Sequence, residues 1–290
     1  EEAPRNAEVR RLLIDVYRKA KSWRPLVEVL STAAEHAKDR TAILSYATEV
    51  YEICTQRLDT PEHAVSVLRL ALELDPDDDA LKKKLAEALL ADDQNEEAKG
   101  YIEELIEGFG RRRSPERAGL HLMLARVNRA LGETEDAIKE LELASKMDRS
   151  NATIQATLAA MARESGDTDK AEHAYRTLLM TVRRRQEEEE DLPIGPAEVY
   201  VELSRIAGER EQEDKASEML ESAIEAIVQN DDEAPQLQKN LREHEDFEML
   251  RRVLEKRLEH ARMPRKRGRI LSELAQLLEE DLEDADAALE

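Results

Sequence analysis

The chain has 290 residues, 38 % of them charged and 41 % hydrophobic, with aromatics at only 3 % and a formal net charge of −22. Few Gly and Pro, abundant Ala, Leu, Glu and Arg, and scarce aromatics argue for long helices with polar outer faces and against one large centre built on Phe and Trp. So acidic a chain repels nucleic-acid phosphates and anionic lipid on average and attracts basic surfaces. Cys54 stands alone, so neither an intrachain disulfide nor a Cys-based zinc site can form. No apolar run approaches the roughly 18 residues needed to span a bilayer.

Aligned with itself, the sequence repeats. Gly132-Glu133-Thr134-Glu135-Asp136-Ala137 returns 34 residues later as Gly166-Asp167-Thr168-Asp169-Lys170-Ala171, with Leu124-Ala125 falling on Leu158-Ala159 in the same register. A small or apolar residue just after each turn serves as an anchor. In chain order the anchors are Leu26, Ala64, Ala98, Ala137, Ala171, Ala216, Leu250 and Ala288. The spacing predicts two amphipathic helices per unit, in units of approximately 7–40, 41–78, 79–112, 116–151, 152–190, 197–230, 231–263 and 264–290. The second unit takes up four extra residues, about one helical turn, in a lengthened first helix. The step after Ala98 absorbs the loop around Gly108 to Pro115. The step after Ala171 absorbs the acid run Glu187–Asp191 and the breakers Pro193, Gly195 and Pro196.

A longer echo joins the ends. Trp23, Leu26, Val29, Leu30, His36 and Ala37 recur as Phe247, Leu250, Val253, Leu254, His260 and Ala261, 224 residues on. By that register the last unit lacks most of its second helix, and the chain begins at Glu1 without Met, so it is expected to be cut from a longer array. Leu274, Leu277 and Leu278 are then expected to be partly uncovered, with self-association end to end through that C-terminal edge. An excess of Arg over Lys points to a GC-rich genome; a bacterial, cytoplasmic protein is expected, with a signal or anchor upstream of Glu1 left open.

In the fourth unit, Leu120, Leu124, Val127 and Leu131 form the stripe of the first helix. Gly132 ends it, and Glu133 to Asp136 place acid in the first turn of the next helix. Ala137 and Ala144, seven apart on one face, allow two helix axes to approach closely. Pro76 stops the second helix of the second unit.

Ala64, Leu68, Ala71 and Pro76 resemble the second-helix pattern and closing proline of the tetratricopeptide repeat family. Leu124, Ala125, Gly132, Ala137, Leu141 and Ala144 resemble its signature through both helices. His121 and Gln155 stand at the family's tryptophan position and Asn128 at a tyrosine position. The resemblance spans roughly residues 7–290 and implies an all-α fold: a single α-solenoid over 1–290, a right-handed superhelix of seven to eight antiparallel hairpins. It also implies a non-catalytic scaffold that binds a peptide or folded partner in a concave groove lined by first helices. A regulatory arm of a larger enzyme or transcription regulator, and a self-assembly module, remain as alternatives.

The six His residues show no paired metal spacing, and phosphate-loop and nucleophile motifs are lacking, so no catalytic, metal or cofactor site is expected. His36 and His260, at equivalent positions, read as structural. Trp23 and Phe247 read as packing between hairpins, and Cys54 as a small buried hydrophobe. Basic clusters Arg111–Arg113 and Arg183–Arg185 fall near ends of second helices, where cations complement the dipole; a further cluster spans Arg262 to Arg269. Nucleic-acid binding would want interleaved aromatics that are missing. On the family's groove geometry, the inward positions include Arg11, Asp15, Lys83, Glu87, Arg126, Arg129, Ala156, Ala160, Arg163, Val201 and Arg205. Lys83, Arg126, Arg129, Arg163 and Arg205 either hold an acidic or C-terminal peptide by charge-assisted hydrogen bonds or pair with neighbouring glutamates.

Overall fold

The computed structural model describes residues 7–186 and 193–281. They fall into two compact units, Glu1–Asp148 and Arg149–Glu290, and every regular element among the described residues is helical. In the first unit α1 (Ala7–Ala20) turns into α2 (Trp23–His36), and α3 (Arg40–Ile53) into α4 (Val65–Leu74). There follow α5 (Asp79–Ala91) with α6 (Asn95–Gly108), and α7 (Pro115–Ala130) with α8 (Thr134–Met147). The second unit pairs α9 (Ala152–Glu164) with α10 (Thr168–Gln186), and α11 (Pro196–Glu209) with α12 (Glu213–Gln229). It ends with α13 (Ala234–Glu243), α14 (Phe247–His260) and α15 (Pro264–Gln276). The acid run 187–191 and the anchor Ala288 lie outside the described residues.

First helices start on short polar side chains that take up otherwise unpaired N–H groups. Asp39 accepts from Ala42 N at 3.0 Å, Ser114 from Arg117 N at 3.2 Å and Asn151 from Ile154 N at 3.2 Å. Asp78 accepts from both Ala80 and Leu81. Pro115, Pro196 and Pro264 open α7, α11 and α15, at positions where a missing N–H costs nothing.

The turns between paired helices share one construction. In each, a single residue has left-handed backbone: Lys21, Asp59, Asp93, Gly132, Gly166, Glu211 and Glu245, with φ from 53° to 81°. Each stands five residues before an anchor. The next residue's N–H reaches back to a carbonyl five residues earlier, the Schellman closure of a helix end. Ser22 bonds Tyr17 at 3.0 Å, Gln94 bonds Leu89 at 2.9 Å, Glu133 bonds Asn128 at 2.8 Å and Asp167 bonds Ala162 at 2.9 Å. Gln212 and Asp246 do the same to Ala207 and Leu241, at 2.9 and 2.8 Å. The carbonyl of that same residue then accepts the anchor's N–H, as from Leu26 to Ser22 at 3.1 Å and from Ala137 to Glu133 at 3.0 Å. In the second hairpin a π-helical turn, Cys54–Leu58, prolongs α3, and Thr60 reaches six residues back to Cys54 at 2.9 Å. That wider turn absorbs the extra length of the unit.

Leu26, Ala64, Ala98, Ala137, Ala171 and Leu250 are wholly buried, and Ala216 half-buried. Larger buried side chains fill the two cores beside them: Leu30, Leu68, Leu85, Leu89 and Ile102 in the first unit, Val201, Ile227, Leu237 and Leu254 in the second. The expectation of a partly uncovered C-terminal edge fails for Leu277 and Leu278 and holds only for Leu274. Leu277 and Leu278 are buried and Leu274 half-buried. α15 runs into a second π-helical turn, Leu277–Asp281, that brings Leu277 into the cluster of Leu250 and Leu254. Arg242 holds Asp281 at 2.8 Å.

A Cβ on Gly132 would meet nothing within 4 Å, so Gly132→Ala is expected to cost ~1 kcal/mol through its left-handed backbone alone. Glu211→Gly should raise the melting temperature, because it relieves the same conformation. Ala137→Trp should cost roughly 1–3 kcal/mol by overpacking. Thermal melts of the three variants decide; a Gly132→Ala variant that melts no lower than the parent, or a Glu211→Gly variant that melts lower, would contradict the turn construction.

Candidate protein-binding surface

Lys82, Lys83 and Lys84 of α5 stand about 100° apart around the helix, and each meets a different environment. Lys82 is buried, with Nζ 2.7 Å from Glu104 Oε1; that hydrogen bond holds its ammonium above the usual range against the opposing effect of burial. Lys84 places Nζ 5.6 Å from the centre of the Tyr51 ring, a cation–π contact. The Tyr51 hydroxyl donates to Glu87, and burial foremost pushes it upward. Lys83 is exposed and makes no hydrogen bond or ion pair among the described residues. On α7, Arg126 is likewise exposed and without a partner among the described residues, while exposed Arg129 is already engaged.

The second unit treats its arginines differently. Arg163 of α9 forms a two-pronged pair with Glu209, Nη1 to Oε2 at 2.6 Å, and lies 3.9 Å from Glu202. The Glu209 hydrogen bond holds the guanidinium above its ordinary value, and Arg163 in turn holds the Glu209 carboxyl below its own. Arg205 of α11 donates to Glu202, to Asn240 Oδ1 at 3.2 Å and to Asp246 Oδ2 at 3.3 Å, with its side chain only 13 % exposed. Asn240 donates onward to Glu198 Oε1 at 2.9 Å. Of the two readings of these arginines, pairing with neighbouring acids describes Arg163 and Arg205. Val201, expected to face the groove, is instead fully buried, packed in the cluster with Ala223 and Leu250.

Glu198 lies in this network. Burial raises its carboxyl above the ordinary range, and the Asn240 hydrogen bond only partly offsets the rise. Tyr175 nearby is also raised, chiefly by burial.

Other singled-out residues resolve into structure. His36 Nδ1 lies 2.9 Å from the Thr32 carbonyl, and His260 Nδ1 2.9 Å from that of Lys256, the same bond one turn back. Trp23 and Phe247 pack half-buried against the two cores, with Arg57 5.5 Å from the Trp23 ring centre. Cys54 is buried and its thiol is pushed up to about 11, first by burial. Shallow recesses lie between second helices: about 330 Å³ between α12 and α14, around Ile224, Val228, Lys256 and His260, and about 320 Å³ between α2 and α4, around Ser31, Ser66, Arg69 and Leu70. Among the described residues no group of three or more His, Cys, Asp or Glu side chains could hold a metal ion, and no helix is long and apolar enough to cross a membrane.

Hairpins closed by one recurring turn, presenting helix faces rather than a convergent set of reactive groups, define a helical-repeat scaffold for protein–protein interaction. The chain belongs to the tetratricopeptide repeat family, whose model, described as "Tetratricopeptide repeat", matches residues 4–185. Among solved structures it is similar to MamA, at 16 % identity and a TM-score of 0.51, over 64 % of this chain and 93 % of that one. It is also similar to PilW, described as a widely conserved type IV pilus biogenesis factor, at 16 % identity and a TM-score of 0.51, over 81 % of this chain and 98 % of that one. At these identities the likeness is one of fold. No curated protein matches the sequence.

Removing the Arg205 side chain strands several part-buried acceptors, so Arg205→Ala should cost roughly 1–3 kcal/mol. For Glu198 the folded state binds the proton more tightly than the unfolded chain, so its contribution to stability is full below the unfolded value, roughly 4.3, and is lost as pH rises through the folded one. Glu198→Gln should therefore be most stabilising, relative to the parent, at neutral pH, with the difference shrinking toward pH 4. Denaturant titrations across that range test this; a difference that grows on acidification would refute it.

Proposed function

We propose that this chain is a non-catalytic scaffold that recruits an acidic segment of another protein along first helices of its residues 1–148. The observation that carries the reading is the contrast among four cations on first helices. Arg163 and Arg205 spend their donors on Glu209, Glu202 and Asp246, whereas Lys83 and Arg126 are exposed with their donors unused among the described residues. Unspent cations in a chain of net charge −22 are where an incoming carboxylate gains most, because charge-assisted hydrogen bonds form without breaking internal ones. Exposed Arg129 widens the same basic face of α7.

Binding of a fluorescent Asp/Glu-rich peptide, followed by anisotropy at two salt concentrations, tests the proposal. Lys83→Glu and Arg126→Glu should each weaken binding about tenfold, ~1.4 kcal/mol, with helicity unchanged, and added salt should weaken the parent's binding further. Arg163→Ala should lower the melting temperature and leave affinity in place. Affinity indifferent to both charge reversals would reject the surface.

A further inference from the structure

Helix α1 exposes two aliphatic side chains one turn apart, Leu12 at 61 % and Val16 at 57 %. Val16 lies ten residues before its anchor. The residues so placed in α5, α7 and α11 are Ala88, Val127 and Ile206, and all three are buried. Side chains on this face reach back to the preceding hairpin. Lys84, equivalent to Leu12, lies over Tyr51 of α3. Glu202, also equivalent to Leu12, approaches Arg163 of α9 at 3.9 Å. Asn240, equivalent to Val16, bonds Glu198 and Arg205 of α11. This is therefore the stacking face of a first helix. In α1 it carries apolar side chains that no described element covers.

The charges beside it indicate what covers it. Four exposed charges of α1, Glu8, Arg11, Asp15 and Lys19, alternate in sign, although Asp15 also lies 3.6 Å from Arg18 of its own helix and Glu8 has a partner within the chain. Read in reverse the order is positive, negative, positive, negative. An antiparallel second copy of the helix therefore sets Glu8 against Lys19 and Arg11 against Asp15 on both sides of a two-fold axis, with Leu12 and Val16 of both copies between them. A parallel copy in register would set like charge on like. The two-fold arrangement is the isologous contact most soluble dimers use.

We propose that α1 is a self-association face, on which two copies of this chain pair antiparallel through Leu12 and Val16. A two-helix contact buries less than the roughly 800 Å² per partner of a stable complex, so the dimer forms reversibly as concentration rises.

Sedimentation velocity of the full chain from about 1 μM to about 1 mM, the range over which small interfaces dissociate, tests this, with circular dichroism as a check that α1 stays helical. The parent should pass from monomer to dimer across the series. Leu12→Glu/Val16→Glu should stay monomeric throughout, and Glu8→Lys should raise the dissociation constant about tenfold. Adding Lys19→Glu to Glu8→Lys should restore the dimer. Since that double variant keeps Lys at position 8, rescue cannot come from a repaired helix and requires pairing of position 8 with position 19 of the second copy. A parent monomeric at every concentration, a dimer that ignores Leu12→Glu/Val16→Glu, or a loss that Lys19→Glu does not rescue would each overturn the proposal.

Discussion

In six hairpins among the described residues one backbone residue bonds in both directions, and the pairing of their helices depends on it. Glu133 is the example: its N–H closes α7 on Asn128, and its carbonyl opens α8 by accepting from Ala137. With Gly132 left-handed just before it, the chain reverses in a fixed geometry that leaves Ala137 wholly buried. The same pair of bonds recurs at Ser22, Gln94, Asp167, Gln212 and Asp246. Helix ends leave carbonyls and N–H groups without intrahelical partners; this turn satisfies two of them with one residue and sets the crossing of the helices at once.

Packing and electrostatics follow from that geometry. A small or wholly enclosed anchor lets two helix axes come close, so neither hairpin needs aromatic bulk, in keeping with an aromatic content of 3 %. One hairpin cannot enclose its own outer apolar face, and stacking on a neighbour does so. Cross-hairpin ion pairs then decorate the stack: Arg18 with Glu49, Arg69 with Glu97, Arg163 with Glu209, Arg210 with Glu172. Most are part-exposed and individually weak. They determine which cations remain available to a partner more than they determine stability.

Much of this was legible in the sequence, because a small residue at a close helix approach leaves a periodic trace. The pairing of helices, the glycine turn at Gly132, the burial of Cys54 and the structural character of His36 and His260 all follow from spacing. Five left-handed turn residues were not legible: Lys21, Asp59, Asp93, Glu211 and Glu245 carry no glycine, since a turn held by two backbone bonds tolerates an ordinary side chain at a modest cost in strain. The fate of the arginines expected to line a groove was half legible. Glu202, three residues before Arg205 on one helix, is a visible partner, whereas Glu209 lies 46 residues from Arg163 and becomes its partner only once hairpins stack. The same holds for Leu277 and Leu278, which a π-helical turn carries into the core although the missing second helix was expected to leave them partly uncovered.

Amide hydrogen exchange resolved to single residues tests the account most directly. The N–H groups of Ser22, Gln94, Glu133, Asp167, Gln212 and Asp246 sit in turns, yet each closes a helix. They should exchange as slowly as amides in the last turns of the helices they cap, and far more slowly than that of exposed Arg113 in the loop between α6 and α7. Exchange of these six amides at loop rates would contradict the claim that one doubly bonded residue sets each of these six hairpins.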